Sequence, residues 1–226
     1  MRTKIKKIFS GKHSYRVISI FVLAVALVVA GISYAFFTSQ DRVDNEVSGT
    51  TPEIQLLEPN WTSTGSEAAK HSEPGTTIDK DPYVYNNSGE AVYVRIMVNV
   101  TDANGKAVDD DTENAILKAI LLSDGNTAFV TIDGANITCN NSSFYYYEGY
   151  YYYMLDNSTI ELQQLEAEAS TEKLFNYITF PVTKAEYQYF EEEFNIVVTA
   201  QAITVDSVAS ISFSDIVTKF VEVYES

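Results

Sequence analysis

The sequence predicts an all-β protein, an antiparallel β-sandwich of the jelly-roll kind with two or three short peripheral helices and an N-terminal signal helix. Branched aliphatic residues alternate with other residues from Val92 to Val100, and side chains two apart in a strand share one face. Apolar residues alternate in the same way from Phe194 to Ala202, which also indicates a strand. Many further short β-prone segments are separated by turn residues, as is typical of antiparallel sandwiches.

The segment from Glu73 to Val100 contains the central elements of the predicted fold. Ile78 to Tyr85 resembles a strand, and because Pro82 has no N–H, that strand should lie at an edge or begin near Pro82. Residues 86–90 supply turn chemistry before the aliphatic strand. We therefore expect a buried hairpin with no catalytic group.

The remaining elements follow from local patterns. Short strands are predicted at Glu53–Leu57, Ala128–Ile132 and Asn136–Asn141. Amphipathic or capped helices are predicted at Thr112–Leu122, from Thr183 to about Glu193, and from Phe213 to Tyr224 with Ser212 or Ser214 as the cap. The polar stretch from Thr62 to Thr77 is predicted to be a loop.

The charge distribution argues against nucleic-acid binding. The formal net charge is −16, yet the first 35 residues carry six basic side chains and no acid, which leaves 9 basic and 31 acidic residues in the remainder. Phosphate contacts require Lys and Arg, so we expect no nucleic-acid partner. A strongly acidic surface favours solubility outside the cell.

The N-terminus has the pattern of a secretory signal peptide. A basic segment precedes the apolar run Ile18–Ile32, and Ser33 and Ala35 are small residues at the two positions that a signal peptidase reads. We expect residues 1–35 to be removed before Phe36, which leaves residues 36–226 as a single secreted domain that met the membrane only through the segment before cleavage. The alternative is an uncleaved anchor, but the run is short for a span of roughly 20 residues.

A tyrosine-rich stretch, Phe144–Leu155, contains two aromatic runs separated by Glu148 and Gly149, which predicts a tight hairpin. Cross-strand aromatic pairing that stabilises a sheet is one interpretation. The other is an exposed aromatic surface for self-association or glycan contact. The candidate contact residues are Tyr145, Tyr147, Tyr151 and Tyr153.

Several short motifs occur in an order that resembles the TasA/camelysin family, which are exported proteins of Gram-positive bacteria released by a SipW-type signal peptidase. Each motif is degenerate alone, and Thr204 stands where the family usually has Gln. The matching segments are Phe36-Phe37-Thr38, Glu58-Pro59-Asn60-Trp61, Pro74-Gly75, Lys80-Asp81-Pro82, Tyr93-Val94-Arg95, the tyrosine-rich run followed by Leu174-Phe175, and residues 199–203.

The resemblance implies a secreted sandwich domain that self-associates into biofilm-matrix fibres by donating an N-terminal strand. The donated segment is expected to be Phe36–Val47, with Phe36, Phe37, Val43 and Val47 as its assembly residues. The Phe36-Phe37 pair is expected to bury against the recipient sheet. The alternative is a monomeric surface adhesin or glycan-binding module that uses the tyrosine-rich hairpin.

We expect no enzyme, no catalytic or metal-binding residue and no cofactor. Camelysin relatives imply metallopeptidase activity, but His71 is the single histidine after cleavage, and a catalytic zinc site usually needs two or three. No nucleophile elbow of the Gly-x-Ser-x-Gly type occurs. Asp109–Asp111 does not match a calcium loop and is better explained as a helix cap. Cys139 has no partner for an intrachain disulfide and is expected to be a buried or idle thiol.

Overall fold

The computed structural model describes residues 52–69, 72–156, 158–208 and 212–225. Within these ranges the chain is mostly antiparallel β-structure with a few short helices, so the all-β prediction is confirmed. None of the helices in these ranges combines the length and the apolar character needed to cross a membrane. The predicted signal peptide and the predicted donor segment lie outside the described residues.

Twelve strands and four α-helices follow one another along the described chain. The strands are β1 Ile54–Leu57, β2 Thr77–Asp79, β3 Tyr83–Asn86, β4 Val92–Asp102, β5 Ile120–Leu121, β6 Val130–Asp133, β7 Asn136–Cys139, β8 Phe144–Tyr147, β9 Tyr150–Asp156, β10 Glu161–Leu162, β11 Tyr177–Thr179 and β12 Phe194–Thr204. The α-helices are α1 Ser66–Ala69, α2 Asp110–Lys118, α3 Lys184–Tyr187 and α4 Phe213–Tyr224. A π-helical turn at Trp61–Gly65 precedes α1, and a 3-10 turn at Gln188–Phe190 follows α3. A further 3-10 turn lies at Val205–Ser207.

The largest sheet has five strands in the order β10-β9-β4-β12, with β8 paired to β9. A three-stranded sheet has the order β2-β11-β5, and β1-β3 and β6-β7 form two-stranded sheets. The predicted strands at Val92–Val100 and Phe194–Ala202 are both present. They pair with each other over eleven positions, from Phe194 opposite Asp102 to Thr204 opposite Val92.

Both faces of the large sheet carry buried side chains, which the alternating pattern did not predict. The aliphatic face of β4 belongs to a large core cluster that takes a buried residue from every described strand except β10. The opposite face carries Tyr93 and Arg95, and each is only 1% exposed. Helix α4 covers that face, and its Ile216 and Phe220 form a second cluster with residues of β4, β9 and β12.

The predicted hairpin between Ile78–Tyr85 and β4 is wrong. The first segment divides into β2 and β3 at residues 80–82, and β3 pairs with β1 instead of β4. Pro82 cannot donate a backbone hydrogen bond, and the neighbouring Lys80 and Asp81 are buried in ion pairs instead of alternating along a strand. The expectation that a strand begins near Pro82 is confirmed, since β3 starts at Tyr83.

Two further boundaries differ from the predictions. The expected loop after Thr62 contains the helical turns from Trp61 to Ala69. A Cβ atom built on Gly65 would lie 2.1 Å from the carbonyl oxygen of Asp79, so glycine permits this turn to approach β2 closely. Helix α2 ends at Lys118, because the apolar pair at 120–121 forms β5 and pairs with β11.

Candidate assembly site

The outer edge of β12 is the candidate assembly site. Among the residues that the structure describes, β4 is the one strand that pairs with β12. In an antiparallel strand, successive residues direct both backbone polar groups alternately to one neighbour and to the other. Every second residue of β12 therefore directs its N–H and C=O away from β4.

Tyr224 identifies which residues of β12 face outward. Its hydroxyl accepts a hydrogen bond from the Ala202 N–H at 3.2 Å and donates one to the Ala202 carbonyl at 2.8 Å. The backbone N–H and C=O of Ala202 therefore point away from β4. By alternation, the same backbone groups of Ile196, Val198 and Ala200 also point away from β4. Within the described ranges, the outward backbone groups of these three residues have no hydrogen-bond partner.

The residue composition of β12 favours pairing of its outer edge with a further strand. The strand contains no charged residue and no proline from Phe194 to Thr204, although the chain as a whole is strongly acidic. Val198 and Ala202 are buried on the core face, while Ile196 and Ala200 are half-buried. Natural edge strands usually carry charges, prolines or bulges that oppose pairing with another chain. A long uncharged edge without these features is suited to accept a further strand.

The tyrosine-rich hairpin forms as predicted. Strands β8 and β9 pair from Phe144 opposite Tyr153 to Tyr147 opposite Tyr150. The two turn residues, Glu148 and Gly149, have φ angles of 48° and 87°. Positive φ at both central positions is the geometry that matches the twist of a two-residue hairpin.

The four tyrosines proposed as a contact surface are placed differently from one another. Tyr147 is 37% exposed, and Tyr145 and Tyr153 are half-buried. Tyr151 is only 2% exposed and its ring packs 4.7 Å from that of Phe129, so its assignment to an exposed surface is wrong. Burial raises the pKa of Tyr151 well above its ordinary value.

Aromatic packing accounts for much of the hairpin. Across the strands, Tyr146 packs on Tyr151 with ring centres 5.1 Å apart. On the other face, the rings of Tyr145 and Tyr147 meet Phe213 of α4 edge-on, at 5.6 and 5.4 Å. The expectation that one face presents free phenols overlooked α4, which covers part of that face.

Arg95 is an organising residue that sequence reasoning missed. Its guanidinium carbon lies 3.7 Å from the ring centre of Tyr150 and 4.7 Å from that of Phe220. Its Nε donates to Gln201 Oε1 at 2.6 Å, and Nη2 pairs with Glu225 at 2.9 Å. Arg95 therefore joins β4, β9, β12 and the end of α4. The sequence feature that could have indicated this role is an arginine in a strand of a tyrosine-rich protein, because arginine stacks on aromatic rings.

Two motifs that the sequence analysis singled out meet in space. Lys80 Nζ binds both carboxylate oxygens of Glu58, at 2.8 and 2.9 Å, and lies 4.5 Å from the ring centre of Trp61. Asp81 Oδ1 accepts the backbone N–H of Asn60 at 3.0 Å, and its Oδ2 pairs with Lys173 Nζ at 2.9 Å. These contacts hold the chain after β1 against the break between β2 and β3.

Asp109 and Cys139, the other side chains considered for chemistry, have structural environments that account for them. Asp109 caps α2 by accepting from the backbone N–H groups of Asp111 and Thr112, and the Thr112 bonds lower the pKa of Asp109. Burial raises the pKa of the Cys139 thiol to about 12. Across the described ranges, no three His, Cys, Asp or Glu side chains are grouped to hold a metal ion.

Several predicted site residues lie outside the described residues. They are the cleavage-site residues Ser33, Ala35 and Phe36 and the donor residues Phe37, Val43 and Val47, and His71, which was not predicted to be a site residue, lies outside them as well. No family model, no curated protein and no solved structure matches the chain.

Proposed function

We propose that this chain is a secreted structural protein, a subunit of extracellular-matrix fibres that assembles when one copy donates Phe36–Val47 to the β12 edge of another. The observation that carries the proposal is the edge itself. It is uncharged over its whole length and offers the outward backbone groups of Ile196, Val198 and Ala200. An added strand gains backbone hydrogen bonds along such an edge and specificity from alternate side chains.

The donor segment suits this role. Val43, Asn45 and Val47 fall on one face of an extended strand, and Asp44 and Glu46 fall on the other. On β12 the side chains at 196, 198 and 200 point toward the large core cluster. A donor that places its valines on that face would continue the core and leave its carboxylates on the opposite side.

The same considerations support the finer architecture. The large core cluster joins residues of the five-stranded sheet to residues of the three smaller sheets. A core held between opposed antiparallel sheets is the arrangement of a sandwich. We therefore propose a jelly-roll-like sandwich in which the donated strand extends the large sheet.

Export is the step that makes the donor available. Cleavage after Ala35 by a SipW-type signal peptidase gives a chain that begins with Phe36-Phe37. The strongly acidic remainder favours solubility until neighbouring copies meet. Self-association, with no cofactor and no nucleic acid, then accounts for the function.

The test compares three variants of the mature chain, residues 36–226, by size-exclusion chromatography and electron microscopy. The mature chain should form fibres, and a variant lacking residues 36–47 should remain a folded monomer. Thr199→Glu places a carboxylate on the face of β12 where Asp44 and Glu46 of the donor would lie, and like-charge repulsion should reduce fibre formation. Thr138→Glu, on the exposed face of β7, is the matched control and should assemble normally.

Two results would contradict the proposal. If the truncated chain polymerises as well as the mature chain, strand donation is wrong. If the mature chain stays monomeric and binds polysaccharide, the adhesin alternative is correct.

A further inference from the structure

The hydroxyl of Tyr224 occupies a place on the β12 edge that an incoming strand would otherwise take. One hydroxyl accepts from the Ala202 N–H and donates to the Ala202 carbonyl, at 3.2 and 2.8 Å. It satisfies both outward groups of that residue, as a paired residue of a neighbouring strand would. The outward groups next along the edge, at Ala200, Val198 and Ile196, have no such partner among the described residues.

Tyr224 is held firmly enough for this role. Its ring stacks on Phe220 with centres 6.2 Å apart, and Phe220 is fully buried against the sheet. The next residue, Glu225, pairs with the buried guanidinium of Arg95. Burial raises the pKa of Tyr224, so the phenol keeps its proton across the neutral range. The end of α4 is thus fixed both to β4, through Arg95, and to the edge of β12, through Ala202.

Side-chain pattern alone leaves one ambiguity in strand addition. A slip of one residue turns the donor's apolar face away from the core and is strongly disfavoured. A slip of two residues keeps every side chain on its proper face, because the period of a strand is two. Alternation therefore does not exclude a two-residue slip of the donor along β12.

We propose that Tyr224 limits the register of the donated strand by closing the β12 edge at Ala202, which opposes a two-residue slip toward that residue. The incoming strand is a segment of a second copy, and this inference rests on the proposed function for that partner. With Ala202 closed, the ladder runs along Ile196, Val198 and Ala200, about 14 Å of edge at ~3.4 Å per residue. A donor shifted by two residues toward Ala202 would have to displace a hydroxyl that already makes two bonds.

The first measurement tests, in the monomer, whether the Tyr224 hydroxyl protects the backbone amide of Ala202. Amide hydrogen exchange is compared in the mature chain, in Tyr224→Phe and in the control Tyr147→Phe, at concentrations where each is monomeric. Loss of one hydrogen bond of about 1 kcal/mol corresponds to roughly five-fold faster exchange, expected at the Ala202 amide of Tyr224→Phe. The amide of Ile203, which faces β4, should not change in either variant, and Tyr147→Phe should leave Ala202 unchanged.

The second measurement reads register in fibres by cryo-electron microscopy. The mature chain and Tyr147→Phe should show one donor register, while Tyr224→Phe should show a mixture that includes a two-residue shift. Unchanged exchange at Ala202, or a single common register in all fibres, overturns the inference while the fibre function stands. Failure of every variant to assemble refutes the fibre function and the register role with it, and the exchange result then shows whether the closure exists by itself.

Discussion

Lys80 and Glu58 form a bidentate ion pair at 2.8 and 2.9 Å, and both side chains are almost completely buried, at 2% and 4% exposure. They lie 22 positions apart in the chain. The pair fixes the segment after β1 to the break between β2 and β3. Its burial makes it sensitive to the loss of either partner, since an isolated buried charge is costly.

Removing one member of this pair should destabilise the fold strongly. Lys80→Met removes the two hydrogen bonds that the ammonium donates to the buried Glu58 carboxylate and should lower the free energy of unfolding by about 3–5 kcal/mol. Lys219→Met, which breaks an exposed pair with Glu222, is the control and should cost no more than about 1 kcal/mol. Urea unfolding measures both. The double variant Lys80→Met/Glu58→Leu should recover most of the loss, and a double variant as unstable as the single one would contradict this account.

Arg95 should not be replaceable by lysine. Lysine keeps the charge but cannot stack as a planar group on Tyr150 while donating to Gln201. We expect Arg95→Lys to lower the free energy of unfolding by about 2 kcal/mol, the scale of a hydrogen bond to a charged group. Amide exchange in α4 should rise more than exchange in the β6-β7 hairpin. Equal protection of α4 in both proteins would show that Arg95 does not anchor the helix.

The hairpin tyrosines should separate into core and surface residues. Tyr151→Ala removes a fully buried ring and should lower the free energy of unfolding by about 3–5 kcal/mol. Tyr147→Ala, at the exposed end of the same hairpin, should lower it by less than about 1 kcal/mol. Thermal or chemical denaturation distinguishes them. Similar losses at the two positions would mean that the hairpin faces are wrongly assigned.

Gly65 and Gly89 offer a matched pair of glycine substitutions. Gly65→Ala forces a Cβ to within 2.1 Å of the Asp79 carbonyl oxygen and should destabilise the fold by about 1–3 kcal/mol. Gly89→Ala meets no atom within 4 Å and should be neutral or stabilise by about 0.4–1 kcal/mol, because it restricts the unfolded chain. Chemical denaturation gives both values. A harmless Gly65→Ala would exclude the close approach of the two segments.

Cys139 should make the fold more sensitive to alkali. Burial raises the pKa of its thiol to about 12 in the folded protein, whereas the unfolded thiol titrates near pH ~8.5. Above that lower value the unfolded chain loses a proton that the folded chain retains, so the free energy of unfolding falls as pH rises. The loss from this group should reach about 2 kcal/mol by pH ~10 and be absent below pH ~8.

Unfolding in urea between these pH values, compared with Cys139→Ala, isolates the thiol from the tyrosines. The wild-type chain should lose more stability than the variant over this interval. The native thiol should also react slowly with a disulfide reagent at pH ~8. Parallel pH dependence in the two proteins would contradict the assignment.

Local patterns predicted the elements that depend on neighbouring residues. The alternation in β4 and β12, the turn at Glu148 and Gly149, and the Ser212 cap of α4 all appear as predicted. Period, turn chemistry and capping act over a few residues, so a sequence states them directly. Arg95 escaped prediction because its burial depends on a helix more than a hundred positions later in the chain.

The sequence alone determined that this protein is built of antiparallel strands and has an uncharged β12, because strand period and charge are properties of consecutive residues. Only the tertiary structure decided that β3 joins β1, that α4 covers the second face of the large sheet, and that Tyr224 closes the β12 edge at Ala202. Partner choice depends on which distant surfaces bury the most apolar area together, and that is a property of the folded chain as a whole.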